Sequence, residues 1–256
     1  MQSMSYHAGK FTWFEHLSAD PAKAREFYEK LFGWKVETLS APGRDYDMVQ
    51  NGGEGIAGLL RAPSGVPTHW ASYLSVTDVD ASFDAALAAG AKALMPPSDF
   101  AGVGRGATFA DPTGAVVSLW KGLQGDRPDR DPTPAGDWIW NELLTPDVNR
   151  SLAFYEGLFG YTHDEMRIGD GATYYILKSP DGKPRAGLMK TPHADTPPMW
   201  LPYVRVEEAD ATAARVAPLG GSLTIPPQDV PTVGRLGALV DPQGAAIAFI
   251  QPAVMA

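Results

Sequence analysis

The sequence predicts an α+β chain of four strand-helix-three-strand (βαβββ) units arranged in two tandem halves. Three observations carry this: an internal repeat, a recurring order of hydrophobic periodicities, and a polar break between the copies. Trp13 to Trp34 (WFEHLSADPAKAREFYEKLFGW) is written again at Trp140 to Tyr161 (WNELLTPDVNRSLAFYEGLFGY), with Asp20 and Asp147 127 positions apart. DPTGAVVSLW from Asp111 answers to DPQGAAIAFI from Asp241, 130 positions on. The difference between the two offsets places an insertion of about three residues around Asp181 to Pro184.

Phe11 to Ser18 alternates as a strand, with Trp13, Glu15 and Leu17 on one side and Phe14 and His16 on the other. Asp20 and Pro21 form a helix start, Ala24, Phe27, Tyr28 and Leu31 fall on a buried stripe, and Gly33 ends the helix. Strands follow at Trp34 to Leu39, Tyr46 to Gln50 and Gly55 to Leu60, broken at Pro42-Gly43 and Asn51-Gly52-Gly53. The order restarts with strand Trp70 to Val76, helix Val79 to Ala89, and strands Ala91 to Leu94, Gly106 to Phe109 and Ala115 to Trp120. The second half repeats it: strand Trp138 to Leu144, helix Val148 to Leu158, strands near Thr162, at Thr173 to Lys178 and at Ala186 to Met189. Strand Trp200 to Val206, helix Ala209 to Leu219 and strands ending at Ile250 complete it. The expected boundaries are a tail at 1–9, a first domain at 10–122, a linker at 123–136 and a second domain at 137–256. The stretch Lys121 to Gly136 supplies the linker composition, rich in proline, glycine and alternating charge.

Composition narrows the function classes. With 44% hydrophobic and 20% charged residues, and no apolar run near ~18 residues, the 256-residue chain reads as globular and not membrane-spanning. A formal charge of −9, without a lysine or arginine cluster, argues against nucleic acid or anionic lipid as a partner. Cysteine is absent, which removes disulfides, thiolate metal sites and cysteine nucleophiles. Met1 to Lys10 has no apolar core, so a cytoplasmic location is the expectation. Gly102-Val103-Gly104-Arg105-Gly106 precedes a strand and not a helix, so its glycines read as turn residues and not as a phosphate cradle.

Four such units, each half opening on a strand-Asp-helix-Phe-Tyr-x-x-Leu-x-Gly pattern and closing on an Asp-Pro-x-Gly turn before its final strand, resemble the glyoxalase, bleomycin-resistance and extradiol-dioxygenase superfamily. This is the vicinal oxygen chelate fold, and the likeness extends to its two-half bacterial glyoxalase-like members of hydroxylase or lyase type. The resemblance implies that units pair into two tandem half-barrel clefts, each with four strand positions able to present His or Glu to a metal. Carried over residue by residue, those positions are Trp13, Gly58, Ala71 and Ser118 in the first half. In the second they are Trp140, Gly187, Leu201 and Ala248. None is a usual ligand for a divalent cation, so the expectation is no metal and no cofactor. Of the histidines, Glu15 and His69 could share a face, His16 points away, and His7, His163 and His193 fall in tail or loop contexts.

Strand parity adds to each cleft Glu15 or Glu142, and Tyr73 with Trp120 or Tyr203 with Ile250. The expected site is therefore an aromatic slot with one carboxylate: Glu15 and Glu142 as acid/base groups, with Trp13, Tyr73, Ser118, Trp120, Trp140 and Tyr203 binding ligand. The competing structural reading makes the aromatics sheet core. It pairs the two glutamates with Arg105 and Arg235 of the repeated Val-Gly-Arg. The functional expectation is metal-free binding of a small aromatic or amphipathic molecule by a monomer or homodimer, with lyase- or hydroxylase-type chemistry. The alternatives are a metal-dependent lyase, isomerase or dioxygenase with non-standard ligands, and a non-catalytic sequestering protein of the bleomycin-resistance type.

Overall fold

The computed structural model describes residues 5–41, 44–169 and 171–253. The first half comprises β1 (Phe11–Ser18), α1 (Pro21–Phe32), β2 (Lys35–Ala41), β3 (Arg44–Asn51) and β4 (Glu54–Arg61), then β5 (His69–Ser75), α2 (Val79–Ala88), β6 (Lys92–Phe100), β7 (Gly104–Ala110) and β8 (Val116–Gly122). The second half comprises β9 (Trp138–Thr145), α3 (Val148–Phe159), β10 (Thr162–Ile168), β11 (Ala172–Lys178) and β12 (Pro184–Lys190). It closes with β13 (Met199–Arg205), α4 (Ala209–Val216), a 3-10 turn (Ala217–Leu219), β14 (Ser222–Val230), β15 (Gly234–Val240) and β16 (Ala246–Pro252). Two eight-stranded sheets result, ordered β2-β3-β4-β1-β5-β8-β7-β6 and β10-β11-β12-β9-β13-β16-β15-β14. Within each unit the last strand returns parallel to the first, as β4 does to β1, so the helix lies in the connection and covers one face. No described helix is long and apolar enough to cross a membrane.

α1 shows what the repeated residues do. Ala24, Phe27, Tyr28 and Leu31 are its buried residues, and Gly33 closes it with φ 74°, a left-handed turn that a side chain would strain. Asp147 caps α3 by accepting from the Arg150 N–H. Asp20 stands at the matching position of α1 but makes no such bond; its own N–H is held instead by the Gln243 side chain at 3.2 Å.

The chain packs into two compact units, each drawing on both sequence halves. One holds the chain up to Trp13, Ser72–Asp129 and Trp140–Trp200. In it α2 packs on α3, over a core of Leu74, Phe83, Phe109, Leu119, Phe154 and Tyr155. Tail residues belong to it as well: the Tyr6 hydroxyl donates to the Gly122 carbonyl at 2.8 Å and the Gly9 N–H to Ser75 at 2.9 Å. Lys10, Lys183 and Arg185 converge on Asp129 at 2.8 to 2.9 Å. The other unit holds Phe14–Ala71, Arg130–Ile139 and the chain from Leu201. There α1 packs on α4, and Tyr28, Leu31, Trp34, Val49, Trp70, Leu239 and Phe249 are buried.

The residues most visible in the repeat fasten these units. In one, the Trp70 indole donates to the Tyr28 hydroxyl at 2.8 Å and Tyr28 donates to Asp241 Oδ2 at 3.0 Å. In the other, Trp200 donates to Tyr155 at 2.9 Å and Tyr155 to Asp111 Oδ2 at 3.0 Å. The second oxygen of each aspartate takes the backbone N–H groups of its own Asp-Pro-x-Gly turn. Burial, reinforced by the neighbouring carboxylate, raises both phenols well above the usual tyrosine range, so they remain donors.

Two expectations about elements are corrected. The strand expected to end at Leu94 runs on to Phe100 through Pro96 and Pro97. This is possible because β6 is a sheet edge whose register to β7 shifts between Met95 and Ser98, where prolines leave no ladder bond broken. His163 lies in β10 and not in a loop, 2.5 Å from Glu156. The insertion is also split. β3 and β11 start 128 positions apart, Gly58 and Gly187 lie 129 apart, and β5 and β13 start 130 apart, so one residue enters the β10-β11 turn, one the β11-β12 turn and one the β12-β13 connection. The expected break at Pro42-Gly43 lies outside the described residues.

Candidate functional site

Glu15 in β1 stands in register with Gly58 in the parallel β4. Tyr46 on β3 reaches across: its hydroxyl donates to Glu15 Oε1 at 2.9 Å. The path is open only because position 58 has no side chain. A Cβ there would sit 2.1 Å from the Tyr46 hydroxyl oxygen and 2.5 Å from Cζ, far inside contact distance. Both Glu15 and Tyr46 are half-buried, so the pair is partly desolvated yet reachable.

The second half builds a related arrangement inside the other compact unit. Glu142 in β9 is in register with Gly187 in β12, and the Tyr174 hydroxyl lies where a Gly187 Cβ would come within 1.7 Å of it. The Trp140 indole N–H donates to the Tyr174 oxygen at 2.8 Å. Glu142 is more enclosed than Glu15, at 7% exposure. Tyr46 and Tyr174 were not among the expected site residues. Their signal was a tyrosine on the third strand two residues before the register partner of a fourth-strand glycine, Met48 for Gly58 and Ile176 for Gly187.

The remaining expected residues fall as follows. Trp13 is half-buried. Tyr73 in β5 is in register with Ser118 in β8, and its ring meets Trp120 edge-on, with centroids 6.1 Å apart. Trp120 also touches Phe100 at 5.6 Å and lies over Gly104 and Gly106, where added Cβ atoms would come within 2.7 and 3.0 Å of its indole. Ser118 is buried and shares a 2.8 Å hydrogen bond with Thr108. Tyr203 is buried in β13, in register with Ala248.

The expectation of the structural reading, that Arg105 and Arg235 pair with the glutamates, is corrected. Arg105 grips Asp80 through two nitrogens at 2.7 Å each and Asp99 at 2.8 Å. Arg235 does the same with Asp210 at 2.8 Å and Asp229 at 3.1 Å. Each arginine faces an aspartate directly across its hairpin, and a second lies in the first turn of the adjoining helix, so the fork is used locally.

The donor set does not fit a divalent cation in the arrangement the resemblance implies. Indole, glycine, alanine, leucine and a buried serine stand at those positions, and a phenol fills the space over each glycine. Among the described residues no group of three or more His, Cys, Asp and Glu side chains could hold a metal ion. The histidine on the opposite face of β1, His16, is fully buried with Nε2 2.7 Å from Asp241. Burial alone would raise Asp241, but the His16 hydrogen bond and charge, with the Ala245 and Gln243 N–H groups, hold it below the usual carboxylate range. His69 directs Nδ1 to the Pro67 carbonyl at 2.8 Å.

Comparison with known proteins agrees with this architecture. The family model for the Glyoxalase/Bleomycin resistance protein/Dioxygenase superfamily matches residues 10–119 and 139–249. The chain is 39% identical over 254 residues to "Putative glyoxylase CFP32" of Mycobacterium bovis, covering 97% of each chain. It is 32% identical to "Anthracycline biosynthesis protein DauV" of a Streptomyces species, over 95% of this chain and 93% of that one. Its fold is similar to the crystal structure of the Mn(II)-bound glyoxalase from Novosphingobium aromaticivorans, with TM-score 0.64 and 16% identity, over 96% of this chain and 83% of that one. With both halves matched by one family model and the repeat carried through four βαβββ units, the chain belongs to the glyoxalase, bleomycin-resistance and dioxygenase superfamily.

Proposed function

We propose that this protein binds a small aromatic or amphipathic organic molecule without a divalent metal at the family's positions. Glu15 and Glu142 supply the acid/base groups, and Trp13, Tyr73, Trp120, Trp140 and Tyr203 supply aromatic surface, with Ser118 beside them. The observation that carries the reading is the tyrosine hydroxyl lodged over a glycine at each fourth-strand position, Tyr46 over Gly58 and Tyr174 over Gly187. A phenol and a carboxylate provide hydrogen bonding and proton transfer but not the charge of a Lewis acid, which suits lyase-type chemistry by proton transfer through an enol better than ring cleavage; a hydroxylation would in addition draw on dioxygen and a reductant from outside the protein. The similarity to a protein named for anthracycline biosynthesis supports a planar aromatic ligand. The test is calorimetric titration with planar aromatic compounds before and after exhaustive chelation, followed by mass spectrometry of the incubated ligand. Binding unchanged by chelation supports the reading, and binding abolished by chelation and restored by a divalent metal overturns it. A converted ligand identifies an enzyme, whereas a tightly held but unchanged one identifies a sequestering protein.

A further inference from the structure

The geometry points to a hydroxyl group on the aromatic ligand: we propose that Tyr46 and Glu15 recognise it by taking it into the hydrogen bond between them. The inference rests on the aromatic-ligand reading above and names the polar group that such a ligand must carry. In the present arrangement the Tyr46 hydroxyl donates to Glu15 Oε1 at 2.9 Å. A ligand hydroxyl is at once acceptor and donor, so it can replace this direct bond by a relay in which Tyr46 donates to the ligand oxygen and the ligand O–H donates to Glu15. An ether can accept but not donate, and would leave the carboxylate without the proton it now receives.

Three features make the pair a receptor and not only a strut. Both side chains are half-buried, which leaves a path for a small molecule while raising the strength of a charge-assisted bond. The phenol is held from beneath by the glycine at position 58, where no side chain pushes it away from Glu15. The register of Glu15 with Gly58 places carboxylate and phenol on rigid strands and not on a loop. The assignment is made to the first half because Glu142 is only 7% exposed, whereas Glu15 is half-buried and open to a ligand.

The test uses the full chain and two matched probes, 2-naphthol and 2-methoxynaphthalene, titrated by calorimetry. The wild type is expected to bind 2-naphthol about tenfold or more tightly, the factor that one hydrogen bond to a charged group supports. Tyr46→Phe and Glu15→Gln should each reduce that preference to about twofold or less. Both variants should stay folded, with a melt lowered by no more than the loss of this one hydrogen bond, and should lose much less affinity for 2-methoxynaphthalene than for 2-naphthol. Gly58→Ala, which displaces the phenol without removing it, should erase the preference as well. Equal wild-type affinity for the two probes overturns the inference while leaving the aromatic-ligand reading intact, as does a preference that survives in both Tyr46→Phe and Glu15→Gln. Failure of both probes to bind overturns the two together.

Discussion

Gly58→Ala is the sharpest perturbation of the site, because the wild-type geometry fixes what the new methyl group meets. Its Cβ would lie 2.1 Å from the Tyr46 oxygen, 2.5 Å from Cζ and 3.1 Å from Cε2. A separation this short cannot be absorbed by breathing of the sheet, so the ring must swing off the strand and its 2.9 Å bond to Glu15 breaks. Loss of a hydrogen bond to a partly buried carboxylate, with some overpacking, amounts to about 2 to 3 kcal/mol. For a chain of this size that lowers the melting temperature by roughly 5 to 10 °C. The decisive assay is a double-mutant cycle with Tyr46→Ala, read by chemical or thermal unfolding. With the ring absent, Gly58→Ala should cost less than about 0.5 kcal/mol, giving a coupling of at least ~1.5 kcal/mol. Additive costs would refute the reasoning, because they would mean that the phenol does not occupy the space over Gly58.

Two other outcomes follow. His16 is matched by the apolar Leu143 in the second half, so His16→Leu removes one partner of Asp241 and should lower stability at neutral pH by about 1 to 3 kcal/mol. Because the folded carboxyl is depressed, Asp241 contributes stability above its unfolded pKa near ~3.9, and that contribution disappears as pH falls through the folded value. His16→Leu should therefore make the acid loss of stability shallower, and an unchanged acid slope would contradict the pairing. Trp13→Ala should weaken binding of a planar aromatic probe about tenfold while lowering the melting temperature by less than about 5 °C. Parallel losses of binding and stability would return Trp13 to the core.

Much of the fold could be read directly because the chain states it twice. The stripe of α1, the Gly33 stop and the strand from Phe11 to Ser18 match their local patterns residue for residue. The edge strand β6 could not be read through, since Pro96 and Pro97 argue against a strand unless its neighbours are known. The candidate site was half legible. Glu15 and Trp13 follow from alternation along one strand, whereas Tyr46 depends on the β3-β4 register, which shifts between Val49 and Gln50. The bond from His16 to Asp241 joins positions 225 residues apart, and its repeat position holds leucine, so the duplication that exposed the other anchors concealed this one. The arginines went astray for a related reason. Val-Gly-Arg marks a hairpin position, and the aspartates that claim it lie six and twenty-five residues earlier.

The central claim is that a phenol over glycine stands where relatives of this fold would present a metal-binding side chain. It is tested most directly by elemental analysis of the purified protein after dialysis against Mn(II), Fe(II), Zn(II) and Co(II), alongside Glu15→Ala. The account predicts far less than one metal per chain, no difference between wild type and variant, and aromatic-probe binding that persists throughout. A stoichiometric divalent metal that is lost in Glu15→Ala would contradict it.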